Sequence, residues 1–166
     1  MRARTATLTA AILRISATLD LDTVLREVVE STRTLTGARY GLIATVDESG
    51  RPRDVVSSGL TPDEHQRVLD WPDGPRVFEH LRDVPGPLRL RDLPGFVRSL
   101  GYSPDLVWSQ TLLATPMRHG GEHVGNFFLA GKDGGGEFAD KDEGVLVLFA
   151  SQAAIANAHA PSAGRP

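Results

Sequence analysis

The stretch TLLATPMRHGGEHVGNFFLAGK, residues 111–132, decides the fold. Two runs, Leu112–Arg118 and His123–Ala130, are rich in apolar, β-branched and aromatic side chains and flank the pair Gly120-Gly121. A two-residue hairpin turn asks for positive φ at both central positions, which glycine adopts without steric cost. The segment therefore reads as a pair of antiparallel strands.

Working outward, ARYGLIATVDESGRPRDVVSSG (38–59) gives a second hairpin. Its strand Tyr40–Val46 is followed by turn residues Asp47 to Gly50 and a short strand around Asp54 to Ser58. PLRLRDL (87–93) is a short strand leading into a helical turn near Phe96 to Leu100. Between them, TPDEHQRVLDW (61–71) carries an N-cap Thr61, Pro62 at the first helical position and Glu64 at the capping-box position. PDGPRVFEHLRD (72–83) reads as another short helix, ended by Val84-Pro85-Gly86.

The termini are helical. Residues 5 to 36 form one long helix or two consecutive ones, with Leu8, Ile12, Ile15 and Leu19 in a stripe. Asp22 is the expected cap of a second helix carrying Val24, Leu25, Val28, Val29 and Leu35, stopped by Gly37. A last helix starts near Asp140, and Val145, Leu148, Phe149, Gln152, Ile155 and Ala156 are its expected packing face. The expected fold class is α+β, a central antiparallel sheet with helices on both faces and the terminal helices forming a bundle. One domain covers 5–160, with tails at 1–4 and 161–166.

Composition narrows the function. Of 166 residues, 40% are hydrophobic and 23% charged, and the net charge is −3 with scattered Lys and Arg, so no nucleic-acid footprint is present. There is no cysteine, which excludes disulfides, Cys-ligated metals, thiol catalysis and thioether-linked chromophores. No apolar run approaches the roughly 20 residues that span a bilayer. Arg14 interrupts the apolar part of the N-terminus, against a signal peptide. A cytoplasmic location, away from the membrane, is expected.

At this point the residues carry a family likeness. ISATLDLDTVLREVVESTRTLTGARYGLIATVDESG, VSSGLTPDEHQRV, PLRLRDLPGF and HVGNFFLAGKDGGGEFADKDEGVLVLFASQAAIANA resemble bacterial GAF sensory domains over roughly residues 14 to 158. The likeness is strongest to those of oxygen- and redox-sensing, dormancy-type histidine kinases. Many GAF domains carry Asn-Lys, then Phe, then Asp-Glu after a three-residue gap. Here Lys132, Phe138 and Asp142-Glu143 match and Gly131 replaces the Asn. A structural role follows: Lys132 pairs with Asp142 to tie the last strand to the final helix, and Phe138 fills core. With the Asn missing, cyclic-nucleotide binding is not inferred.

In the haem-containing kinases of that group, the stretch equivalent to GYSPDLVWSQTLLATP (101–116) carries the proximal histidine, and that position falls here on Leu106. Leucine has no lone pair for iron, so haem is disfavoured as a cofactor. Of the five histidines, His80 alone is placed to face inward. The resemblance implies a pocket between the sheet and the helix-loop layer, with Phe78, Phe96, Tyr102, Leu106, Trp108, Gln110, Leu113 and Thr115 as candidate ligand-binding residues. The same side chains would equally serve to fill core. Asp63-Glu64 and Asp140, Asp142 and Glu143 lie at helix starts, where they favour the dipole, so no catalytic or metal site is expected.

The expected function is a sensory or regulatory module of a signal-transduction protein such as a histidine kinase. It would be non-enzymatic, homodimeric through its terminal helices and attached to an output domain such as a kinase. Two alternatives stand beside it: a haem sensor with a displaced ligand such as His80, and a ligand-free dimerisation or relay module.

Overall fold

The computed structural model describes residues 20–47, 49–102 and 110–159. Helix α1 (Leu21–Thr36) leads into β1 (Ala38–Val46) and β2 (Pro52–Ser58). Three short helices, α2 (Pro62–Asp70), α3 (Gly74–Arg82) and α4 (Leu93–Ser99), follow, with β3 (Leu88–Leu90) between the last two. Strands β4 (Leu112–His119) and β5 (Glu122–Lys132), a 3₁₀ turn (Asp133–Gly135) and α5 (Asp140–His159) complete the chain. The strands form one sheet in the order β2-β1-β5-β4-β3, antiparallel at every pairing. The sequence-based fold class is the observed one, with the terminal helices α1 and α5 on one face and α2, α3 and α4 toward the other.

The deciding hairpin closes as expected. His119 pairs with Glu122 across Gly120 (φ 60°) and Gly121 (φ 83°), both left-handed. On the terminal-helix face, Val56, Ile43 and Phe127 lie in one cross-strand row, and Gly41, Leu129 and Leu113 in another. They meet Leu25 and Val29 of α1 and Leu146, Ala150, Ala153 and Ala154 of α5 in one buried core. Gly41 lets α1 come close, because a Cβ there would stand 2.6 Å from Cγ1 of Val29.

The Lys132–Asp142 pair forms as the sequence suggested, at 2.8 Å. Lys132 Nζ also donates to the carbonyl of Thr36 at 2.5 Å, near the C-terminus of α1. Asp142, 1% exposed, accepts in addition from the Ala139 backbone N–H at 2.8 Å. Burial pushes the Asp142 carboxyl up, but the Lys132 and Ala139 hydrogen bonds outweigh it and hold the group below the usual carboxylate range. Phe138 is buried beside them.

Two expectations are corrected. Asp20, not Asp22, caps α1: its side chain accepts from the Thr23 N–H at 3.3 Å, and Asp22 lies inside the first turn. On α5 the buried face is Asp142, Leu146, Ala150, Ala153, Ala154 and Asn157. Leu148 (57% exposed) and Ile155 (49%) turn outward, and Gln152 is exposed. The buried set recurs at helical spacing from Asp142, so the anchored carboxylate fixes the rotation of the helix. Small alanines then allow an approach that leucine and isoleucine would hold apart.

Candidate functional site

Side chains of a strand alternate between its two faces, so the residues one place from the core rows face α2, α3 and α4. Ser57, Leu42, Phe128, Ala114 and Leu88 form such a row across all five strands. Above β1 and β5 this face bounds a chamber of about 290 Å³. Its floor is Tyr40, Leu42 and Ala44 of β1, Phe128 and Ala130 of β5 and Leu112 of β4. Val68 of α2, Trp71, Val77 and Phe78 of α3 and its approach, and Val97 of α4 form the opposite wall. Leu69, 47% exposed, also contributes to the lining.

The helix layer is held by local signals. α2 carries a reciprocal capping box, with Thr61 Oγ1 accepting from the Glu64 N–H at 3.1 Å and Glu64 accepting from the Thr61 N–H at 2.8 Å. Its His65 Nδ1 lies 2.6 Å from Ser57 Oγ, which ties α2 to β2. α4 is capped by Asp92, which accepts from the Gly95 N–H at 3.1 Å.

The lining has one chemical character. Among its twenty described residues none is charged, and none is histidine or methionine. The phenol of Tyr40 and the indole of Trp71 are its polar side-chain groups. The chamber is open to solvent on one side, where Leu69 stands 47% exposed. Water entering it meets few hydrogen-bonding partners.

Of the residues the sequence singled out, Phe78 lines the chamber. Phe96 is half-buried, and the next residue, Val97, takes the lining position. Tyr102 is half-buried past the end of α4, its ring 6.2 Å from that of His80. Gln110 is exposed and borders a separate polar groove with Arg39, Thr111 and Gly134; its carbonyl accepts from the Leu93 N–H at 2.8 Å. Leu113 and Thr115 are placed on the wrong face by the sequence-based assignment. They pair with Leu129 and Phe127 and so share the terminal-helix side, whereas Leu112 faces the chamber. Leu106 and Trp108 lie outside the described residues.

His80 also departs from expectation: it is exposed. Val77, Phe78 and Leu81 set the buried side of α3, and His80 falls about a quarter-turn or more away from their centre at 100° per residue. His123 lies beside the hydrophobic wall, its ring 6.2 Å from Phe78 and its Nε2 3.1 Å from Asn126 Oδ1. Burial pushes its pKa down; the Asn126 bond partly offsets this, and Arg82 and Arg118 lower it further. The side chains missed from the sequence, Leu42, Phe128, Ala130 and Trp71 above all, come from the strand floor and from the linker before α3.

The family model described as GAF domain matches residues 18–157. The chain is a GAF domain. This is a family of sensory and signalling modules. The chain is similar in fold to the GAF domain/HD domain protein from Geobacter sulfurreducens (23% identity, TM-score 0.68, 87% of this chain and 95% of that one). It is likewise similar to the GAF domain of a phosphoenolpyruvate-protein phosphotransferase from Coxiella burnetii (22%, TM-score 0.65, 95% and 96%). Residues 122 to 287 of a methyl-accepting chemotaxis protein share the fold at 20% identity, with TM-score 0.59 and coverage of 87% and 93%.

Proposed function

We propose that this GAF domain is the sensory input of a signal-transduction protein, holding a small molecule in the apolar chamber and reporting its presence through the terminal helices. One observation carries the reading: the chamber and the α1/α5 layer lie on opposite faces of the same strands, so neighbouring residues of β1 and β5 touch one or the other. The likeness to residues 122 to 287 of a methyl-accepting chemotaxis protein agrees with a signalling role. A histidine kinase is the output we favour, and we take the domain itself to be non-catalytic.

The outward side of α5 supports a dimeric assembly. Leu148 and Ile155 stand exposed one above the other at helical spacing, and Leu35 of α1 is 59% exposed. A second copy covering this face would place the output domains side by side. A ligand changes the output only if it binds one arrangement of these helices better than the other.

The test is a ligand screen read by thermal shift and hydrogen exchange. At about 100 times its dissociation constant a ligand adds about 2.7 kcal/mol, or about 5–11 °C for a protein of this size. Exchange should also slow or quicken in α1 and α5, on the face away from the chamber. Binding that leaves those helices unchanged refutes the signalling part of the reading.

A further inference from the structure

We propose that the chamber takes an uncharged, apolar molecule about the size of a two-ring aromatic, and turns away nucleotides, porphyrins and ionised metabolites. The proposal rests on the ligand-binding reading above and gives the ligand its chemical class. Burying an ion without a partner is far more costly than burying a neutral group. No described lining residue offers a partner of either sign. Phosphates and propionates would face Leu42, Ala44, Phe128 and Ala130, with no arginine, lysine or histidine among the described wall residues. A metal centre would find no imidazole or thioether among the described lining residues.

Size and shape narrow the class further. An enclosed apolar cavity of about 150 Å³ accommodates benzene; this chamber, open to solvent on one side, offers about 290 Å³. The rings of Phe78 and Phe128 stand 6.3 Å apart at 58°, offering a ligand ring both edge and face contacts. Trp71 adds a third aromatic surface.

The experiment uses the whole chain with naphthalene and indole as neutral probes, 1-naphthoate as the ionised counterpart, and cyclic GMP and haemin as representatives of the excluded classes. Binding is measured by calorimetry and thermal shift. A neutral two-ring probe should bind and raise Tm, and 1-naphthoate should bind at least about 100-fold more weakly, since its carboxylate gains no partner. Ala130→Phe, which places a ring on the chamber floor, should abolish probe binding while leaving the circular dichroism spectrum intact. Ala44→Leu on the neighbouring strand is the second variant and should weaken binding in the same way.

Ionised probes that bind as tightly as neutral ones, and lose binding in both variants, overturn the class while leaving the ligand-binding reading intact. Neutral binding that survives both variants places the site elsewhere and overturns the proposal. If no probe binds and mass spectrometry finds nothing bound to the purified protein, the class and the ligand-binding reading fall together.

Discussion

Replacing Lys132 by methionine keeps most of the side chain's length and removes one ammonium from a crowded junction. Its Nζ donates to Asp142 at 2.8 Å and to the Thr36 carbonyl at 2.5 Å, so one group joins β5, α5 and the end of α1. In the variant, Asp142, 1% exposed, keeps the Ala139 N–H as its hydrogen-bond donor. Breaking a buried ion pair by removing one partner costs about 3–5 kcal/mol. Because the lysine side chain is 22% exposed and water reaches it, the lower end, about 3 kcal/mol, is the expectation. That corresponds to a Tm lowered by about 6–12 °C.

The pH dependence gives the prediction a second, independent reading. In the native protein the folded pKa of Asp142 is lowered, so its stabilisation is present above the unfolded value of about 3.9 and is lost as pH falls through the folded one. Without Lys132, burial dominates and raises the folded pKa, so the penalty is full at neutral pH and is relieved on acidification. The difference between the two proteins, measured by urea unfolding, should therefore shrink steadily from pH 7 to pH 3. Adding Asp142→Leu to the Lys132→Met background should recover much of the loss. A cost below about 1 kcal/mol, the value of a surface pair, or a difference independent of pH refutes the reasoning.

Gly41→Ala should destabilise by about 1–3 kcal/mol through overpacking, because the new Cβ meets Val29 Cγ1 at 2.6 Å; Gly41→Ala with Val29→Ala should restore part of it in chemical denaturation. Leu148→Glu with Ile155→Glu should leave the Tm within a few degrees, as both side chains are exposed, yet shift sedimentation from dimer to monomer. His123 should titrate below 6.5 by NMR, its pKa lowered by burial. A depressed histidine means that stability, level above the unfolded value, declines as pH falls from about 6.5 toward the folded one. His123→Gln should remove that part of the decline, and a midpoint at or above 6.5 contradicts the burial argument.

The strands were legible because residue type and turn chemistry agreed: Gly120-Gly121 between two apolar runs leaves few alternatives. The Lys132–Asp142 tie was legible because its residues match a recurring family pattern. The packing face of α5 was not, and the reason is physical. Ranking residues by hydrophobicity sends Leu148 and Ile155 inward, whereas close helix packing here selects Ala150, Ala153 and Ala154. The rotation is set by an ionised group, Asp142, which a hydrophobic pattern leaves out.

The site was misread for a related reason. In a strand buried on one face, alternation of apolar and polar residues declares which side chains point where, and a slip of one position reverses every assignment. β4 offers no such signal, since Leu112 through Met117 are all buried, some under the terminal helices and some toward the chamber side. Leu113 and Thr115 were therefore one position out of phase with the chamber, and the pairing with β5 was needed to set the parity. The same double burial is what a sensory sheet requires. Phe128 lines the chamber and Phe127, its neighbour in the chain, lies fully buried under α1 and α5. The two side chains share one stretch of backbone, so on the sensory reading proposed above a ligand that shifts the strand at Phe128 also shifts the position of Phe127. The double burial that hides the chamber face from a sequence pattern is also what sets chamber residues next to core residues along β5.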